Sequence, residues 1–91
     1  MILFLESSTQ YSEGNFGETC ADIGCDVITD LDDCRTAINS TGGTISSEWV
    51  IPGPDYIYGC SLKTTNTLHF NTNPDGVARI SEKPYCACDG K

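Results

Sequence analysis

The sequence predicts a small α+β domain in which one short helix packs on an antiparallel sheet of about five strands, stapled by disulfides. Three observations predict this class. The chain has 91 residues and six cysteines, and an even count in so short a chain is typical of three disulfides formed in an oxidising compartment. One segment has helical periodicity, and the segments after it have the pattern of short strands separated by turns. The hydrophobic core of such a chain is small, so the disulfides are expected to supply much of its stability.

The predicted helix begins after Thr29, which can cap its first turn with the help of Asp32 three positions further on. Apolar positions then recur with helical spacing at Leu31, Cys34 and Ile38. This spacing gives the helix one apolar face and directs Cys34 toward the core. Glycines at positions 42–43 are expected to end the helix.

The remainder of the chain predicts the sheet. Its expected strands are residues 45–51, 56–62, 68–71, 77–80 and 85–88. The segment 73–76, Asn-Pro-Asp-Gly, has the residue order of a β-turn.

The first 19 residues differ in character from the rest. They begin with five consecutive apolar residues: Met1, Ile2, Leu3, Phe4 and Leu5. Residues 6–19 are polar, contain two glycines and show no periodicity, which indicates a flexible arm. We therefore divide the chain into an apolar N-terminal strand with its arm, residues 1–19, and a disulfide-rich domain, residues 20–91. The apolar run is too short for a membrane span or for the core of a signal peptide.

The positions of the cysteines suggest their partners. Cys34, on the buried face of the helix, needs a partner on a strand, and Cys60 lies on the expected central strand. Cys20 and Cys25 then pair with Cys86 and Cys88, which share one face of a strand because they are two residues apart. The favoured arrangement of this second set is Cys20 to Cys86 and Cys25 to Cys88, with the exchanged arrangement as the alternative. A zinc site is disfavoured because the chain has no Cys-x2-Cys pair.

Composition and charge exclude several functions. The net charge is −8, which repels nucleic acid and anionic membranes. The single histidine, His69, cannot form a catalytic group with a second imidazole, and a strand histidine of this kind is expected to face solvent. Asp30, Asp32 and Asp33 do not have the spacing of a calcium loop. We therefore expect no enzyme activity, no cofactor and no metal.

Two further features concern carbohydrate. Asn39 begins an Asn-Ser-Thr sequon near the expected end of the helix, so it is a candidate for glycosylation. Four aromatic residues of the predicted strands could form a sugar-stacking platform, or else pack in the core. These residues are Trp49, Tyr56, Tyr58 and Tyr85.

Short motifs in a particular order also suggest a family. They are residues 19–24, Thr-Cys-Ala-Asp-Ile-Gly; 28–30, Ile-Thr-Asp; 33–37, Asp-Cys-Arg-Thr-Ala; 59–60, Gly-Cys; 70–73, Phe-Asn-Thr-Asn; and Cys86. Together they resemble a cysteine-rich domain that recurs in predicted secreted proteins of microalgae and related protists, over most of residues 19–88. Cys25 and Cys88 depart from that pattern as an added disulfide. The helix cysteine followed by a strand cysteine is also similar to the adhesive apple or PAN domains, whose full spacing is not reproduced.

These observations lead to one main hypothesis of function. The chain is expected to be an extracellular structural subunit in which residues 1–5 complete the sheet of a neighbouring copy, because a strand added to a sheet edge gains main-chain hydrogen bonds. Two other fates of residues 1–5 stay open: pairing with the sheet of their own chain, and being the remnant of a removed signal. Such a contact is head to tail, and repeated it makes a fibre or surface layer. The alternatives are an adhesive apple-like domain that binds glycan or protein, and a small secreted inhibitor scaffold.

Overall fold

A computed structural model describes residues 10–88 of the chain. In this part, one helix, α1 (Leu31–Ser40), packs on a mixed sheet of six strands. The strands are β1 (Tyr11–Glu13), β2 (Asp26–Val27), β3 (Ser47–Ile51), β4 (Gly59–Lys63), β5 (Thr67–Asn71) and β6 (Glu82–Ala87). A 3-10 turn, Ala21–Ile23, precedes β2. The prediction of a disulfide-stapled α+β domain is confirmed.

The sequence predicted an antiparallel sheet, but the observed sheet contains one parallel pair of strands. Its main path has the order β1-β6-β4-β5-β3, and β3 runs parallel to β5 with Trp49 opposite His69. The other pairs are antiparallel. The parallel pair arises because β5 lies between the consecutive strands β3 and β4. Strand β4 runs opposite to β3, and β5 turns back along β4 as its hairpin partner. Strand β5 therefore runs in the same direction as β3.

The predicted strand at residues 77–80 does not form. The turn at residues 73–76 is present, with the Gly76 N–H donating to the Asn73 carbonyl at 3.0 Å. After this turn the chain continues as a loop, and Ile80 is 86% exposed. The loop is held over the sheet instead of joining it, because the Arg79 guanidinium stacks on the Tyr56 ring at 5.2 Å.

Part of the predicted flexible arm belongs to the sheet, so the domain boundary near residue 20 was wrong. Strand β1 pairs with β6, with Ser12 opposite Cys86. The Cys88 N–H also donates to the Gln10 carbonyl at 2.6 Å. The folded unit therefore extends at least to Gln10. The sequence of β1 shows no recognisable alternation of apolar and polar residues, because the strand is three residues long and only Tyr11 packs against the core.

Helix α1 and one face of the sheet enclose the hydrophobic core. Its buried members are Ile28, Cys34, Ala37, Ile38, Cys60, Leu62, Leu68, Phe70 and Tyr85. Both ends of the helix are capped by local contacts. The cap is Asp30 and not Thr29, since the Asp30 carboxylate accepts from the Asp33 N–H at 3.1 Å. At the other end the Gly43 N–H donates to the Ile38 carbonyl at 2.8 Å, which closes the helix as the two glycines predicted.

Gly59 marks the place where β2 and β4 meet along the same side of β6. Its φ is +88°, and a Cβ added there would collide with the Val27 side chain. Gly24 has a similar φ, +74°, but a Cβ there would meet nothing within 4 Å. Substitutions at the two glycines therefore separate the effect of backbone strain on stability, present at both positions, from the effect of steric crowding, present only at Gly59.

We expect Gly24→Ala to lower the free energy of unfolding by about 1 to 2 kcal/mol, from the left-handed backbone alone. Gly59→Ala should lower it by about 1 to 3 kcal/mol more, because it adds overpacking against Val27. Urea unfolding followed by circular dichroism measures both changes. Equal losses in the two variants would contradict the close contact between β2 and β4.

Candidate functional site

The face of the sheet opposite α1 carries a layer of buried polar side chains. Leu68 and Phe70 point into the core, so the alternation of strand β5 turns His69 and Asn71 to this second face. The buried polar and charged residues there are Ser61, His69, Asn71 and Glu82. They need hydrogen-bond partners, because an unpaired buried polar group is destabilising.

His69 and Glu82 form the centre of this layer. The His69 Nδ1 lies 2.6 Å from the Glu82 Oε2, and both side chains are almost completely buried. The Glu82 Oε1 accepts from the Ile57 N–H at 3.3 Å. Since the carboxylate accepts at both oxygens, we assign the proton of the neutral ring to Nδ1, so that His69 is the donor.

Burial lowers the pKa of His69, because the positively charged ring would lose its hydration. Glu82 opposes this effect, whereas the nearby charges of Lys63 and Arg79 reinforce it. The ring is therefore neutral at neutral pH. The prediction that this histidine faces solvent was wrong, because Trp49 and Tyr56 cover it: their ring centroids lie 5.6 and 5.3 Å from the imidazole.

Asn71 attaches the two covering loops to the sheet. Its side-chain amide donates to the carbonyls of Gly53 and Tyr56, both at 2.8 Å. Its Oδ1 accepts from the Asn73 N–H at 3.0 Å. A Cβ at Gly76 would run into the Tyr56 carbonyl and the Asn71 amide, so the turn lies directly against these groups.

Trp49 is the exposed aromatic residue of this face. Its ring stacks on His69 with an interplanar angle of 25°, yet the residue is 58% exposed. Of the other three aromatic residues proposed from the sequence, Tyr85 is buried in the core, and Tyr56 and Tyr58 are partly buried. Burial raises the pKa of Tyr85, and its hydroxyl donates to the Glu13 carboxylate at 2.9 Å. The four residues therefore do not form one platform.

A groove of about 330 Å³ lies beside the Trp49 ring. It is lined by Ser47, Glu48, Trp49, Lys63, Thr67 and His69. The Ser47 hydroxyl donates to the Thr67 hydroxyl at 3.2 Å. This groove combines one exposed aromatic ring with hydroxyl groups and an ammonium group.

Strand β3 is also the outer strand at one edge of the sheet. Among residues 10–88, β5 is the strand that pairs with it. Its side chains are ordered on both faces. On the helix side, Arg35 contacts the Glu48 carboxylate at 2.7 and 2.9 Å and holds the pKa of Glu48 below its usual value; on the other side, Trp49 rests on His69.

The other residues singled out by the sequence are placed as follows. The disulfides join Cys34 to Cys60, Cys20 to Cys86 and Cys25 to Cys88, which are the predicted and favoured pairs. Asn39 is exposed near the end of α1. Residues 1–5, the proposed assembly strand, lie outside the described residues.

Residues 10–88 contain no group of three or more His, Cys, Asp or Glu residues that could hold a metal ion. Two of the three aspartates considered for calcium have local roles. Asp30 caps α1, and the Asp32 carboxylate accepts from Arg35 at 2.7 Å. Within the same part of the chain, no helix is long and apolar enough to cross a membrane.

No protein-family model, curated protein or solved structure matches this chain. The family resemblances described from the sequence therefore stay predictions. Several disulfides in a small domain are typical of extracellular proteins.

The buried histidine predicts a specific dependence of stability on pH. An unfolded histidine has a pKa near 6.5, and that of folded His69 is lower. Between the two values the unfolded chain binds more protons, so the free energy of unfolding should fall as the pH decreases from about 6.5, by up to about 1.4 kcal/mol per pH unit. This fall should end below the folded pKa.

Urea unfolding at several pH values between 7 and 5 measures this slope. His69→Gln should remove it, because His69 is the only histidine and the glutamates that have a lowered pKa, Glu13 and Glu48, titrate in a more acidic range. The slope is compared and not the absolute stability, so a destabilised variant remains informative. A wild-type slope of zero, or the same slope in both proteins, would contradict the assignment.

Proposed function

We propose that this protein is an extracellular structural subunit that assembles head to tail, with residues 1–5 of one copy paired along β3 of the next. The observation that carries this proposal is the position of the two edges. The N-terminal segment leads into β1 at one edge of the sheet, whereas β3 is the outer strand at the opposite edge. A donor and an acceptor at opposite edges favour an open chain of subunits over a closed dimer.

Strand β3 has the properties of an acceptor. Trp49 and Val50, which lie on opposite faces of the strand, are 58% and 59% exposed. An outer strand offers unpaired main-chain groups to an added strand. Because Arg35 and His69 already hold its side chains, β3 would lose little conformational freedom on pairing.

The shortness of the N-terminal segment favours a neighbour's β3 over the chain's own. Since Gln10 is joined to Cys88, the linker available to residues 1–5 is residues 6–10 and not the whole arm. Five extended residues span at most about 18 Å. A strand added outside β3 would lie five strand spacings from β1, or about 24 Å. The chain's own β3 is therefore out of reach, but a neighbour's β3 is not.

The chemistry of the segment supports the same proposal. Residues 1–5 are all large and apolar, and burying them stabilises a contact by several kcal/mol before ordering is counted. The net charge of −8 opposes nonspecific association of the rest of the surface. The three disulfides of residues 10–88 fit folding and function outside the cell.

We expect the full chain to form filaments in negative-stain microscopy and a chain lacking residues 1–5 to sediment as a monomer. Leu3→Lys should weaken assembly in the same way, because it places a charge in the middle of the donated strand. Phe16→Lys serves as a matched control, since it alters an exposed apolar residue outside this contact and should leave assembly unchanged.

A synthetic peptide of residues 1–9 then identifies the acceptor. Added to the chain lacking residues 1–5, it should slow hydrogen exchange of amides in β3 and leave those of β1 unchanged. The same peptide carrying Leu3→Lys should have no effect. Assembly of the shortened chain, or protection at β1 in place of β3, would overturn the proposal.

A further inference from the structure

We propose that the groove beside Trp49 binds a neutral pyranose sugar. The inference rests on an exposed and immobilised indole ring, on polar groups arranged next to it by the strand register, and on the size of the groove. It goes beyond assembly: Trp49 and His69 belong to both proposals, but the sugar site uses the groove over β5 and not the outer edge of β3.

The indole ring is held in one orientation from below. Trp49 lies directly opposite His69 in the β3–β5 register, and the two rings are stacked. His69 is fixed in turn by its hydrogen bond to the buried Glu82. The outer surface of Trp49 therefore presents a flat apolar face whose position is set before any ligand binds. The C–H groups on one side of a pyranose ring form a complementary flat surface, so stacking on this face requires little ordering of the protein.

The next row across the sheet supplies hydrogen-bonding groups. Ser47 lies opposite Thr67. Lys63 follows Leu62, the last paired residue of β4 in the β4–β5 register, and lines the same groove as Thr67. The Thr67 hydroxyl also lies 3.0 Å from the Thr65 hydroxyl. Among residues 10–88, no carboxylate forms a salt bridge with Lys63. The row thus offers an ammonium donor and several hydroxyl groups to the equatorial hydroxyls of a stacked sugar.

The size of the groove and the net charge of the chain restrict the ligand. A volume of about 330 Å³ is at the lower end of the range for small-molecule sites, roughly 300 to 1,000 Å³, and suits a single ring or the end of an oligosaccharide. Glu48 lies in the lining, but its carboxylate is paired with Arg35 on the helix side. The charge that acts on a ligand is therefore the net charge of the chain, −8. Heavily sulfated or otherwise anionic glycans are repelled by this charge, so neutral sugars are the expected class.

The sugar site and the assembly edge are compatible. The groove lies over β5, on the inner side of β3, whereas a donated strand is added on the outer side. A bound polysaccharide would therefore decorate or anchor an assembled fibre without blocking it. Binding at this groove can be measured whether or not the subunits assemble.

The full chain is tested on an array of neutral oligosaccharides built from glucose, xylose, mannose and galactose. Hits are then titrated in solution by tryptophan fluorescence, which reports on Trp49 because it is the only tryptophan. We expect at least one neutral oligosaccharide to shift the fluorescence in a saturable way. Heavily sulfated oligosaccharides of the same length should give no shift.

Variants are compared with the wild-type chain by calorimetry. Trp49→Ala should weaken binding at least tenfold, and Trp49→Phe, which keeps an aromatic face, should weaken it less. Lys63→Gln should weaken it severalfold. Val50→Ala is the matched control, because Val50 lies on the same strand with equal exposure but on the helix side, and it should bind as the wild type does. Absence of any neutral ligand, or unchanged binding in Trp49→Ala, would overturn the proposal.

Discussion

The fold depends on the closure of the chain around β6. This strand, near the end of the chain, pairs with β1 along one side and with β2 and β4 along the other. Cys86 then joins it to Cys20 across 66 residues. In the chain-entropy description, closing a loop of this length stabilises the folded state by roughly 4 kcal/mol. The Cys25–Cys88 bridge lies alongside it and spans nearly the same loop, so its entropic effect is largely contained in that of the first bridge. The Cys34–Cys60 bridge is independent of both, because it joins α1 to β4.

Closure around β6 also explains why the second face of the sheet is polar. One helix covers one face only, and the other face is covered by the loops at residues 52–58 and 72–81. Loops bring main-chain groups that need partners, and the side chains of Asn71 and Glu82 supply them, while His69 is the partner of Glu82. The result is a layer in which each hydrogen bond holds either a loop or another member of the layer. Within residues 10–88, the Ser61 hydroxyl is the buried side-chain group left without a partner.

The features that the sequence predicted are those with a local or covalent signal. The helix followed from the spacing of Leu31, Cys34 and Ile38, and its end from the glycines beyond it. The disulfides followed from the number of cysteines and from the need of a helix cysteine for a strand partner. The parallel pairing of β3 could not be predicted in this way, because it is set by where β5 inserts. The same holds for β1, which is recognisable as a strand only once β6 is beside it.

The candidate site shows the same limit more clearly. Trp49 was identified from its residue type, but its exposure could not be distinguished from burial by alternation alone. His69 lies between Leu68 and Phe70, and alternation correctly turned it away from the core. Alternation could not predict that loops bury this second face, because the position of those loops depends on the hydrogen bonds that Asn71 makes to them. Glu82 had no local signal at all, since its partner is 13 residues away on a strand that is not its neighbour.

The two edges of the sheet differ in how far they resist further pairing. Strand β1 is only three residues long and carries Glu13, whose carboxylate also contacts Lys83 at 3.1 Å; short, charged edge strands discourage pairing. Strand β3 is longer, contains neither proline nor lysine, and has its one charge neutralised by Arg35 on the helix side. A monomeric protein would be expected to protect such an edge. Among residues 10–88 this edge is exposed and yet held rigid on both faces, and the proposed strand addition rests on that combination.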